Sequence, residues 1–66
     1  MKSHMVEATV LMIWHRCVTW GDLERAAGVT DRDAFWAKFP AEHDEWAAKQ
    51  ALVAMIRERV RKGELT

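Results

Sequence analysis

The sequence predicts an all-α fold, a compact domain of four short helices. Three observations carry that expectation. Apolar residues recur at spacings of three and four along most of the chain, the period of a helix face. Threonines followed three residues later by an acid, and glycines at the ends of apolar runs, mark helix starts and stops. No stretch shows the β-branched alternation of a strand. At 66 residues the chain makes one domain. Domains this small bury only ~60% of their unfolded surface, so packing must be dense or a second subunit must add to it.

Ser3-His4-Met5 resembles the remnant of a common cloning site. Residues 1–4 are therefore set aside as a vector-derived tail, with the natural chain expected to begin near Met5 and the domain to occupy 5–63. A first helix over 6–18 follows from Val6, Val10, Ile13, Trp14 and Cys17 on one face. Leu11 and Val18 widen this stripe, while Met12 interrupts the polar side. Thr19 with Asp22 then forms a capping box for a second helix over 20–27. Leu23, Ala26 and Ala27 are its buried side, and Gly28 ends it. Thr30 with Asp33 repeats the pattern for a third helix over 31–39, stopped by Pro40. A fourth helix over 41–62 has Glu42, Asp44 and Glu45 in its first turns and bases in its last, as the helix dipole favours. Trp46, Leu52, Val53, Ile56 and Val60 share its inner face, Lys49 snorkels outward from that stripe, and Gly63 closes it.

Ten basic and ten acidic residues balance, whereas a dedicated nucleic-acid binder carries a basic surplus. The balance is uneven along the chain. From Asp22 to Glu45 seven acids face three bases, and from Lys49 to Lys62 five bases face Glu58 alone. Cys17 is the single cysteine, so no internal disulfide forms and a reducing cytoplasm is the expected home. No apolar run approaches the ~20 residues that span a bilayer.

Catalytic spacings are missing too. The histidines do not cluster, with His15 on a polar face and His43 beside Asp44. His15 and Cys17, two residues apart, diverge on a helix and cannot form a nucleophile pair. No zinc-type spacing or glycine-rich phosphate loop occurs. The expectation is a binding protein, without enzymatic activity and without a cofactor.

The passage from Trp20 through Leu23, Ala27, Gly28, Val29 and Thr30 to Ala34, Phe35 and Phe39 resembles the helix-turn-helix of bacterial transcription regulators. In that resemblance Leu23 and Ala27 pack the first helix, Gly28 makes the turn and Thr30 caps the recognition helix. The run from Ala34 to Pro40 is similar to the end of the recognition helix in TetR-type, homeodomain-like regulators. The run from Ile56 to Leu65 resembles the first helix of GntR-type regulators, although there it precedes the motif. Glu24 departs from the pattern, standing where a small residue faces the neighbouring helix. A TetR-like match also needs one extra residue between Thr30 and Ala34.

The resemblance implies DNA as a partner and a role in transcription regulation. Thr30 would bond a phosphate, Arg32 would read a base edge, and Lys38 would neutralise the backbone beside Trp36. Arg57, Arg59, Arg61 and Lys62 would add phosphate contacts. Asp31 and Asp33 oppose this, since phosphates repel them. The alternative is a protein-interaction or dimerisation module, of the kind found among small phage and bacterial accessory proteins. Met12, Trp36 and Met55 fall outside the best apolar stripes and would anchor such an interface. In either case a homodimer is expected.

Overall fold

The computed structural model describes residues 3–41 and 44–65. These form α1 (Ser3–Arg16), α2 (Trp20–Ala27), α3 (Arg32–Trp36) and α4 (Glu45–Arg61). The all-α expectation holds, with no strand among the described residues. Glu42 and His43, expected in the first turn of the last helix, lie outside the described residues.

α4 is the axis of the molecule. Its Ala48, Leu52, Ile56 and Val60 recur every four residues and are fully buried. α1 and α2 both lie against it, contributing Val6 and Val10 from one and Leu23 and Ala27 from the other. α1 runs antiparallel to α4, because Trp14 meets Lys49 and Glu7 meets Arg57. The Lys49 ammonium sits 4.8 Å from the centre of the Trp14 ring, the outward snorkel expected from sequence with a cation–π contact added.

α1 begins at Ser3, so His4 and Met5 are helical, and it ends at Arg16, two residues before the expected boundary. The reason lies in the next cap. The Asp22 carboxylate accepts the backbone N–H groups of Val18 at 3.0 Å and Thr19 at 3.1 Å. Both amides are thereby drawn away from any continuation of α1. The Thr19 hydroxyl accepts the Asp22 N–H in return, completing the capping box. These amides hold the Asp22 carboxyl below its ordinary pKa.

Gly28 ends α2 in the left-handed region at φ 83°. Its N–H reaches the Arg25 carbonyl, and the Val29 N–H reaches that of Glu24, the paired bonds of a Schellman turn. A methyl group at Gly28 would also lie 3.2 Å from the Arg59 guanidinium.

α3 is shorter than expected and starts differently. Asp31, not Thr30, is its N-cap, accepting the Ala34 N–H at 3.1 Å. Thr30 stays exposed in the turn. The helix stops at Trp36, and Ala37–Phe39 continue as tight turns. Pro40 keeps Phe39 out of helical geometry.

Three apolar expectations fail on α1 and α4. Leu11 and Val18 do not widen the buried stripe; they are 57% and 88% exposed. Trp46 does not share the inner face of α4 but is 71% exposed. α1 runs out at Arg16, near the level of Lys49, so nothing of α1 extends over Trp46 one turn earlier.

Candidate binding surfaces

The residues expected to face DNA do not assemble into one surface. α2 carries one acid inside its apolar arc, Glu24, which is only 3% exposed. Across the turn, Arg32 grips that carboxylate through Nε and, at 3.1 Å, through Nη2. The Trp36 indole N–H donates to Glu24 Oε2 at 3.3 Å. Trp36 also stacks edge-on against Trp20 and Phe35, with ring centres 5.1 and 5.3 Å apart. Arg32 and Trp36 are thus the clasp that holds α3 to α2. The Arg32 guanidinium keeps the Glu24 carboxyl below its ordinary pKa against the opposing push of burial.

The bases of α4 are engaged as well. Arg57 donates to both oxygens of Glu7, at 2.6 and 3.3 Å, tying α4 to α1. Arg59 turns to the other side and donates to the Ala26 carbonyl at 2.8 Å and the Arg25 carbonyl at 3.4 Å. It satisfies the end of α2, where a cation suits the dipole. Arg61 pairs with Glu58 at 2.6 Å within α4. Lys38 and Lys62 make no ion pair with a described residue. Each arginine acts at a different corner of the molecule.

Thr30, Lys38 and Met55 do come together, on the other side of α3 from Arg32. They line a cleft of about 430 Å³ between the α2–α3 turn and α4, with Phe35 and Phe39 in its wall. Met55 is barely exposed, at 37%. A second groove, of about 500 Å³, lies where the end of α1 meets α2 and α4, between Trp14 and Trp20. Cys17 lies in its wall, and burial raises the pKa of its thiol.

The most apolar open surface is the outward side of α1. Val6, Val10, Ile13 and Cys17 face inward. Met5, Ala8, Leu11, Met12 and His15 face away from α2 and α4, and all are exposed. Met5 is 49% and Met12 57% exposed. Met5, Ala8, Met12 and His15 recur every three or four residues with Leu11 beside them, and none of the five is an acid, lysine or arginine. Sequence reasoning picked out Met12 but missed Leu11, which it had assigned to the core. The signal was present: α1 carries large apolar side chains, Leu11 and Met12, outside its inner stripe, and these form a second apolar surface to cover.

No protein family, no curated protein and no solved structure matches the chain. Among the described residues no group of three or more His, Cys, Asp or Glu side chains is placed to hold a metal ion. No described helix is long and apolar enough to cross a membrane.

Proposed function

We propose that the chain is a protein-interaction module that works through the outward face of α1, rather than a DNA-binding protein. One observation carries the reading. Large apolar side chains are displayed together on α1, while the arginines expected to meet phosphates are occupied within the fold. Exposed apolar surface without charge is the composition of an interface centre. Cations already paired add little to the counterion release that drives DNA affinity. Asp31 and Asp33 at the front of α3 add repulsion against a phosphate backbone.

The test uses two variant pairs and a random duplex. Leu11→Asp with Met12→Lys is expected to abolish capture of protein partners, a differently tagged second copy of the chain included, and Lys38→Ala with Lys62→Ala to leave capture intact. Fluorescence anisotropy at about 50 mM salt should show no duplex binding in the range of ordinary nonspecific affinities, roughly 1–100 µM. Salt-sensitive duplex binding that disappears in the lysine variant would overturn the reading. Capture unaffected by the α1 variant would do so equally.

A further inference from the structure

We infer that the occupant of the α1 face is α1 of a second copy, laid antiparallel across a two-fold axis. This rests on the reading of α1 as the interaction surface and names its partner.

The face has the geometry of a helix-pairing seam. Met5, Ala8, Met12 and His15 follow one another at intervals of three, four and three residues. That alternation keeps a stripe facing a partner helix at the shallow crossing angle of paired helices. A two-fold axis sets the same patch against itself, so the patch must be self-complementary. A face without acid, lysine or arginine meets that condition. Antiparallel packing also sets the amino end of each helix beside the carboxyl end of its mate, the favourable order for two dipoles.

The area agrees with a weak, specific pair. The molecule exposes 4785 Å², and a specific interface takes ~10% of a small protein's surface from each partner, roughly 480 Å² here. The five outward side chains, all exposed and three of them about half so or more, supply most of that area. The two copies together bury about 1,000 Å², the lower edge of specific interfaces. A micromolar dissociation constant is the expected strength.

The experiment is sedimentation equilibrium on the whole chain from about 5 to 500 µM, the span in which a micromolar pair dissociates. Wild type is expected to pass from monomer to twice the monomer mass. Met12→Lys is expected to weaken the pair at least tenfold, and Leu11→Lys to do the same, with thermal melts that match wild type at concentrations where all are monomeric showing that both variants fold. A wild-type chain that stays monomeric throughout overturns self-pairing, while the broader interaction reading is decided separately by capture with the α1 variant. A dimer that persists in both variants overturns the choice of surface.

Discussion

Replacing Arg32 with alanine removes a side chain that is 65% exposed, a change that costs little at most surface positions. The structure predicts otherwise. Arg32 is the principal partner of Glu24, whose side chain is 3% exposed, and without it the carboxylate keeps only the Trp36 N–H at 3.3 Å. Orphaning one member of a fully buried pair costs about 3–5 kcal/mol. Here water enters through the space that Arg32 vacates, which reduces the penalty on Glu24 to about 1–2 kcal/mol. That corresponds to a Tm lower by roughly 4–16 °C in a domain of this size.

Two controls separate an orphaned charge from lost packing. Adding Glu24→Leu to Arg32→Ala should restore at least half of the loss, because the buried charge is gone. The second control is pH. In the wild type the Arg32 contact lowers the Glu24 pKa. Its stabilisation is therefore complete above the unfolded glutamate value, about 4.3, and is lost as pH falls through the lower folded value. In the variant the lowering contact is absent and burial remains, so the carboxyl protonates at higher pH than in the wild type. The gap between the two melts, followed by circular dichroism, should narrow between pH 7 and about pH 3.5. A variant within about 0.5 kcal/mol of wild type, the ordinary range for surface changes, would refute the clasp. A pH-independent gap would refute the electrostatic account of it.

Other outcomes follow from the same geometry. Gly28→Ala should destabilise by about 1–2 kcal/mol in urea denaturation, because φ is 83° there and an L-residue pays that strain; an unchanged midpoint would contradict the Schellman turn. Arg59→Ala should lower stability by about 1 kcal/mol, since the Ala26 carbonyl loses the Arg59 donor and the Arg25 carbonyl keeps only the Gly28 N–H, with hydrogen exchange quickening at Gly28 and Val29. Met12→Lys should leave the thermal midpoint within the equivalent of about 0.5 kcal/mol at protein concentrations well below the dimer's dissociation constant, as expected for an exposed position. The Cys17 thiol, its pKa raised by burial, should react with iodoacetamide more slowly at pH 8 than after unfolding, and equal rates would place it on the open surface.

The sequence made the helices legible where the chain punctuates itself. Thr19, Asp22 and Gly28 fixed α2 to the residue, since each signal acts within one turn. The end of α1 was not legible, because Asp22 reaches back to the amides of Val18 and Thr19. A spacing of four between an acid and a preceding backbone group leaves no periodic trace. Thr30 and Asp31 are both good caps, and their competition is decided by how the chain leaves Gly28. The inner face of α4 was read correctly from Leu52 to Val60, but Trp46 was misplaced because periodicity does not tell where the covering helix stops. Glu24 stood out as a misfit in a small-residue position. Its partner Arg32, eight residues away, looked instead like a base-reading side chain. A cation pledged to a buried acid and a cation free for a ligand have the same sequence signature, so only coordinates separate them. Leu11 was lost for a similar reason, being assigned to the inner stripe of a helix that also carries apolar residues outside that stripe.

The decisive measurement is methyl and amide nuclear magnetic resonance on the labelled chain, followed first with protein concentration and then with added duplex. Signals of Met5, Leu11 and Met12 should shift as concentration rises, while the Arg32 Nε–H and the Thr30 and Lys38 amides stay in place on adding DNA. Movement of Thr30, Arg32 and Lys38 with duplex, over a silent α1, would contradict the assignment of α1 as the working surface.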